Sequence, residues 1–391
     1  MHQSIRRIRI VLAFLLMNLG LSAQTSFKEL DALTYNLYLN SEWERLLEVG
    51  DSLIESGTDY YYLRLRMGLA HYFLNQPLLA IPHLKRANDF NAAEELALEH
   101  LYYCYFQTQQ YGQALRVIQK TTPYLQDKVG VSKGKIVPAV AVRGGIKGST
   151  SEYIPPAFEL DADFNFTLFK KVNWKLSFNQ ISQSTDLWNI KQQQYYSSLS
   201  VPLANDWNMT FGLSFIDFDY EFKPTFNTQF TEGQALAYSV SADKLYMKHQ
   251  VGFAFSALME DSAQHHQAMV NYAYFPLGST KFYLGSEVYL STPDLATFAI
   301  GFKPYVGYRA TRKFKWSASY LHAGGHNLLQ QNAEIVNNNY HITSSIFETG
   351  INYQISPKLN LGLFYQREGK DGETLSDYHY NSLFINLKFT P

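Results

Sequence analysis

The chain has 391 residues and a formal net charge of −1, so it lacks the basic excess typical of nucleic-acid-binding proteins. Aromatic residues reach 16% and charged residues only 17%, which is opposite to the composition of disordered chains. One cysteine excludes a disulfide scaffold and a cysteine-built zinc site. A mean hydropathy of −0.22 excludes a polytopic helical membrane protein and is compatible with a β-barrel.

Residues 1–23 have the features of a secretory signal peptide. A basic segment containing Arg6, Arg7 and Arg9 precedes an apolar run that ends at Leu21. The run is shorter than the roughly 20 residues that a helix needs to span a bilayer. We therefore expect cleavage after Ala23 and export of the mature chain from the cytoplasm.

Residues 24–128 are predicted to form a helical domain, because apolar residues recur there every three or four positions. The pattern predicts six helices, near 26–38, 41–56, 59–74, 77–90, 92–107 and 110–121. Within them, small and large apolar residues recur at a fixed spacing: Gly68, Ala80, Leu84 and Ala87 are followed by Ala114 and Ile118, which stand 34 residues after Ala80 and Leu84. Small residues at such positions let paired helices approach closely.

This spacing resembles that of tetratricopeptide repeats, which have a period of 34 residues. A simple bundle of helical hairpins is the alternative. The resemblance implies a concave surface that binds peptides or partner proteins. In this sequence the corresponding candidate partner-binding residues are Tyr60, Tyr61, Arg64 and Arg66.

After a linker at 129–134, the apolar period changes to two from residue 135 to residue 391. The alternation predicts about fourteen strands, with twelve or sixteen as the alternatives, and most of them are longer than the 5–6 residues typical of globular strands. Short turns, as near 205–206, alternate with longer connections, as near 220–232 and 326–338. Short periplasmic turns and longer outer loops are the pattern of outer-membrane β-barrels.

The predicted fold is therefore a helical domain followed by an antiparallel transmembrane β-barrel. An even number of strands places both barrel ends on one side, which puts the helical domain in the periplasm of a bacterial envelope. The last strand carries Leu383, Ile385, Leu387 and Phe389 in alternation, which resembles the insertion signal of outer-membrane barrels. Charged residues of the first predicted hairpin are expected to face the lumen and to pair across strands: Asp161, Asp163, Lys171 and Lys175.

Catalytic motifs are missing from the sequence. It contains no Gly-x-Ser-x-Gly elbow, no glycine-rich phosphate loop and no His-Glu-x-x-His segment. His322 and His326 lie four residues apart with no carboxylate close behind them, so we interpret them as loop histidines. The sequence therefore predicts a non-enzymatic protein with no cofactor and no metal site. A barrel hydrolase acting on lipid is the least favoured alternative.

A helical repeat domain placed before a barrel resembles the architecture of two families. In surface lipoprotein assembly modulators, repeats precede a fourteen-stranded barrel that helps cargo reach the cell surface; in exopolysaccharide export porins, longer arrays precede a larger barrel. This resemblance predicts a component of an export, surface-display or outer-membrane assembly complex, which recruits periplasmic or outer-membrane proteins and contacts outer-membrane lipid. The alternative is a stand-alone porin or polysaccharide export channel. No nucleic-acid partner is expected.

Overall fold

The computed structural model describes residues 27–130, 139–168, 172–184, 188–222, 229–260, 264–292, 298–324, 328–331, 333–336, 342–371 and 377–390. The predicted signal peptide at 1–23 and Lys171 lie outside the described residues, and so does most of the predicted linker.

The N-terminal part is helical, as predicted. Its helices are α1 (Phe27–Leu39), α2 (Trp43–Glu55), α3 (Tyr61–Phe73), α4 (Pro77–Phe90), α5 (Glu95–Gln107), α6 (Tyr111–Ile118) and α7 (Pro123–Lys128). The first six match the six predicted from the apolar period. The seventh is a short helix that the prediction missed. No helix in the described part of the chain is long and apolar enough to cross a membrane.

Close packing of α3 on α4 depends on a residue without a side chain. A Cβ atom on Gly68 would lie 2.6 Å from Cγ of Leu84, so only glycine allows the two helices to approach this closely. The other positions at the repeat spacing, Ala80, Ala87, Ala114 and Ile118, are buried in the same helical core. These contacts hold paired helices together, while the tetratricopeptide character of the pairs stays a prediction.

The remainder forms a closed barrel of fourteen antiparallel strands, which confirms the predicted class and strand number. The barrel strands are β1 (Ala139–Ser149), β2 (Ala157–Leu168), β3 (Val172–Ser184), β4 (Trp188–Pro202), β5 (Trp207–Phe222), β6 (Gln229–Tyr246), β7 (His249–Glu260), β8 (Gln264–Tyr274), β9 (Phe282–Thr292), β10 (Ala299–Arg309), β11 (Phe314–His322), β14 (Ile342–Ser356), β15 (Leu359–Asp371) and β16 (Tyr378–Phe389). Two further short strands, β12 (Leu329–Gln330) and β13 (Ile335–Val336), pair only with each other.

The barrel closes where the first strand pairs with the last. Their register runs from Val140 opposite Phe389 to Ser149 opposite Tyr380. The inward ring of Phe384 covers Gly145, where a Cβ atom would overlap the ring. Closure leaves no unpaired strand edge, which a barrel surrounded by lipid requires.

Alternation along the strands separates an apolar exterior from a polar interior. Leu383, Ile385, Leu387 and Phe389 of the predicted insertion signal all point outward and are exposed, in line with Phe158, Leu160 and the outward residues of the other strands. Asp161, Asp163 and Lys175 lie on the opposite face of their strands and line the lumen. An apolar outer belt on a closed barrel is the architecture of an outer-membrane protein.

Candidate functional site: the barrel lumen and its two ends

A short hairpin from the connection between β11 and β14 folds back into the lumen. This hairpin comprises residues 328–331 and 333–336 and contains β12 and β13. The sequence predicted an outward loop near 326–338, and for these residues the prediction is wrong. Their buried apolar side chains explain the difference: Leu328 and Leu329 are 3% exposed, and Ala333 is fully buried.

One arm of the hairpin is fixed to β8. The side-chain amide of Gln267 donates to the carbonyl oxygen of Leu329 at 2.7 Å and accepts from its backbone N–H at 3.1 Å. Leu328 packs with Tyr289 and Leu321, which supply an apolar patch on the inner wall. A buried backbone segment needs such partners, because an unpaired peptide group away from water is costly.

The other arm is fixed to strands β3–β5, which lie three to five strands from β8 around the wall. Ser214 of β5 donates to the carbonyl oxygen of Ala333 at 2.7 Å, and Gln194 of β4 donates to that of Glu334 at 2.8 Å. The carboxylate of Glu334 pairs with Lys175 and accepts from the Ser177 hydroxyl of β3 at 3.2 Å. The hairpin therefore extends inside the lumen from the wall near β9 and β11, where Leu328 packs, past β8 to β3.

Two cavities remain on either side of the hairpin, and Gln331 borders both. The first has a volume of about 150 Å³, and its charged lining residues are Arg143, Glu159, Asp161, Asp163, Lys175 and Glu334. The second has a volume of about 200 Å³, and its polar lining residues include Asp243, Gln250, Gln267, Asn271 and Glu287. Charged residues dominate the lining of the first cavity, while the second has a mixed lining in which Met269, Tyr289 and Leu329 accompany the polar residues. Both cavities can therefore hold small polar molecules.

The wall behind the first cavity is held by ion pairs. Arg143 contacts Glu159 at 2.8 Å and Asp161 at 2.6 Å. Deeper in the wall, Glu368 lies 3.2 Å from Lys147 and 2.7 Å from Lys370, and all three side chains are buried. Buried charges are stable only when paired, and removing one partner leaves the other uncompensated. We infer that this network keeps the wall rigid around the cavity.

The helical domain is docked on the end of the barrel that carries the short turns. Asp206, in the turn between β4 and β5, accepts a hydrogen bond from the Tyr105 hydroxyl at 2.7 Å and pairs with Lys85 at 2.8 Å. Burial raises the pKa of Tyr105 well above its ordinary value, so its hydroxyl stays protonated and can donate. Gln113 donates to the carbonyl oxygen of Leu203 in the same turn at 3.1 Å.

A second contact joins the helices to the turn between β8 and β9. The backbone N–H of Leu78 donates to the carbonyl oxygen of Gly278 at 3.0 Å, and the Thr280 hydroxyl donates to that of Gln107 at 3.4 Å. Ala273 and Phe275 are buried in the core of the helical domain, with Leu245, Tyr283 and Tyr305 packed against it. Ala273, Tyr283 and Tyr305 share the inward face of neighbouring strands, as the register shows. The helices therefore cover this mouth of the barrel on the β4–β10 side.

The candidate partner-binding residues of the helical domain make contacts within that domain. Arg66 is buried and pairs with Asp31 at 2.6 Å, and the Tyr60 hydroxyl donates to Asp31 at 3.0 Å. Arg64 makes two hydrogen bonds to Asp59, at 2.6 Å and 3.1 Å. Tyr61 packs on the helical core, and burial raises its pKa to about 12. Partner binding by these residues stays a prediction.

Several residues of the site were not predicted from the sequence. Gln194, Ser214 and Gln267 stand at polar positions of the alternating pattern, which predicts that they face the lumen but not that they bind a hairpin. The sequence predicts a tight turn at Asp206, and the positive φ of 63° at this residue is typical of such a turn. Among the described residues, no group of three or more His, Cys, Asp or Glu side chains is arranged to hold a metal ion.

Comparison with known proteins finds no matching family model and no matching curated protein. Several solved structures resemble the barrel. The CymD monoaromatic hydrocarbon channel has 8% identity and a TM-score of 0.48, covering 67% of this chain and 90% of CymD. Omp33 of Acinetobacter baumannii has 13% identity and a TM-score of 0.39, covering 65% and 98% of the two chains. A FadL homologue of Pseudomonas aeruginosa has 9% identity and a TM-score of 0.43, covering 66% and 90%. At these identities the likeness is one of fold.

Proposed function

We propose that this protein is a non-enzymatic outer-membrane channel for small polar solutes, acting without partners in the transport step. The observation that carries the proposal is the pair of cavities of about 150 and 200 Å³, lined by charged and polar side chains of the described residues, that border the hairpin of residues 328–331 and 333–336. A barrel that served only as an anchor would need no polar cavities. A polysaccharide channel would need a wide, continuous lumen, which the hairpin interrupts.

Permeation past the hairpin depends on its few anchors. Hydrogen bonds from Gln267, Gln194 and Ser214 hold its two arms, and each neutral bond contributes about 1 kcal/mol. The Glu334–Lys175 ion pair and the burial of Leu328 and Leu329 add to these bonds. The hairpin can therefore hold a fixed constriction and open by a local fluctuation when a solute passes. In this proposal the helical domain lies in the periplasm and forms a second constriction at the turn-side mouth.

Recruitment of protein partners, the function that the sequence favours, ranks second. The exposed ring of Tyr62, over which the Arg66 guanidinium lies at 5.5 Å, is the feature that favours it. However, the helical domain also contacts the barrel, at Asp206 and Gly278, so the channel ranks first.

Swelling of proteoliposomes in a series of small polar solutes tests the channel. We expect slow, size-limited swelling for the wild-type protein and faster swelling for the double variant Ser214→Ala/Gln267→Ala, which loses an anchor on each arm. The matched control is Ser382→Ala/Gln183→Ala, which should swell like the wild-type protein. It replaces buried residues of the same types that border neither cavity; Gln183 contacts the wall residue Tyr380. Absence of swelling for all three folded proteins contradicts the channel. Recovery of a protein complex by gentle extraction would then favour partner recruitment.

A further inference from the structure

The helical domain carries an exposed apolar edge on the side that faces the barrel. The connections within the helix pairs α3–α4 and α5–α6 touch the turn between β8 and β9, through Leu78 and Gln107. The equivalent connection of the first pair, α1–α2, follows Leu39. Leu39 is 57% exposed, and Phe73, at the end of α3, is 48% exposed and stacks on Trp43 with ring centroids 5.0 Å apart.

The order of the contacts places this first pair outside the barrel wall. The α5–α6 pair contacts turns at two separate places on the rim, Leu203 and Thr280, and therefore lies over the mouth. Helix α4 also reaches two turns, at Gly278 through Leu78 and at Asp206 through Lys85. His71 of α3 lies near Lys248, in the turn between β6 and β7 that stands between those two on the rim. The helical core is continuous from α5 to α3, and Leu37 and Leu46 then pack α1 and α2 on Ala70 of α3. The first pair therefore lies on the side of α3 away from the α5–α6 pair that covers the mouth.

The barrel wall is also apolar next to this edge. Leu277, adjacent to the contact with Leu78, is 48% exposed, and Tyr246 and Met247 of the neighbouring turn are exposed as well. Tyr272 lies near the end of β8 that leads into this turn, and its side chain belongs to the outward lipid-facing belt. Aromatic residues at the ends of a transmembrane barrel lie at the level of the lipid headgroups. The apolar edge of the helices therefore continues an existing lipid-facing surface.

We propose that the edge formed by Leu39, Trp43 and Phe73, together with Leu277, rests on the phospholipid surface of the leaflet next to the short turns. A tryptophan ring such as that of Trp43 favours this boundary, because its apolar part can contact lipid while its N–H group contacts water. The contact fixes the first helix pair against the membrane and thereby steadies the helices that cover the mouth. The surface lipid is thus a binding partner of the helical domain as well as of the barrel.

Spin labels on single cysteines test this contact in the full-length protein. Cys104 is the one native cysteine; it is buried, and burial raises its pKa, so it stays unlabelled. Leu39→Cys and Phe73→Cys place a label on the edge. Phe90→Cys is the matched control: Phe90 is 41% exposed but ends α4, about 18 Å along the helix from Leu78 at the barrel.

The measurement is the accessibility of each label to oxygen and to a nickel chelate in phosphatidylethanolamine–phosphatidylglycerol vesicles. We expect the ratio of oxygen accessibility to nickel-chelate accessibility to be several-fold higher for the labels at 39 and 73 than for the label at 90. Labels at the lipid boundary show such a raised ratio. Equal, water-like accessibility at all three positions overturns the proposal. If Phe73→Cys disturbs the stack with Trp43, the label at 39 decides alone, because Leu39 is exposed and outside that stack.

Discussion

At the scale of single residues, Asp206 joins the two parts of the molecule. Replacing it with Asn keeps its shape and suits its positive φ, but removes the charge that Tyr105 and Lys85 contact. Hydrogen bonds to a charged group contribute about 1.5–3 kcal/mol. We expect Asp206→Asn to loosen the docked helices, so that limited proteolysis releases them faster. Asp219→Asn, at an exposed residue of the strand that follows this turn, is the control; equal release rates for both variants would contradict this role.

A second residue, His83, makes the helical domain sensitive to acid. Burial, with His71 and Arg64 nearby, lowers the pKa of His83 to about 3 in the folded chain. The unfolded state binds its proton near pH 6.5, so stability is complete above that pH and falls as the pH drops from 6.5 toward 3. The slope for one such group is at most about 1.4 kcal/mol per pH unit.

We therefore expect the helical circular-dichroism signal to melt at lower urea concentration at pH 5 than at pH 7.5. His83→Gln should reduce that difference, whereas His100→Gln should leave it as it is in the wild-type protein. A pH dependence that His83→Gln does not change would show that other groups cause it.

At the scale of secondary structure, closure of the barrel depends on the seam between β1 and β16. Gly145 and Gly144 are neighbours on β1 and point to opposite faces. A Cβ atom on Gly145 would overlap the Phe384 ring, whereas one on Gly144 would lie 3.9 Å from Leu160. Overpacking of this kind costs about 1–3 kcal/mol. We expect Gly145→Ala to lower the folded fraction in cold SDS gels and Gly144→Ala to leave it unchanged; equal effects would contradict this account of the seam.

The strands could be predicted from the sequence because lipid and lumen impose opposite polarity on successive residues of every strand. The inward course of the hairpin at 328–336 could not. Its anchors, Gln194, Ser214 and Gln267, lie on three strands that are far from the hairpin in sequence. Each stands at a polar position of the kind found on every strand, so the pattern does not single it out. Docking of Asp206 on Tyr105 depends on a contact between the two domains, which no local pattern encodes.

At the scale of the whole molecule, the proposed channel has one orientation in the outer membrane, with the helices and the short turns on the periplasmic side. A protease site inserted between β5 and β6, in 223–228, should be cut on intact cells. The same site inserted between Met247 and Lys248, in a short turn, should be cut only after the outer membrane is opened. The reverse pattern would invert the topology.

In the proposed channel two constrictions lie in series along one lumen. One is the hairpin of residues 328–331 and 333–336, and the other is formed by the docked helices. Single-channel conductance in planar bilayers tests it most directly, using Ser214→Ala/Gln267→Ala to release the hairpin, Asp206→Asn/Gln113→Ala to loosen the helices, and the four substitutions combined. Because resistances in series add, we predict low wild-type conductance, a modest rise in each double variant, and a rise in the combined variant that exceeds the sum of the two. A wild-type conductance already as large as that of the combined variant would contradict the account.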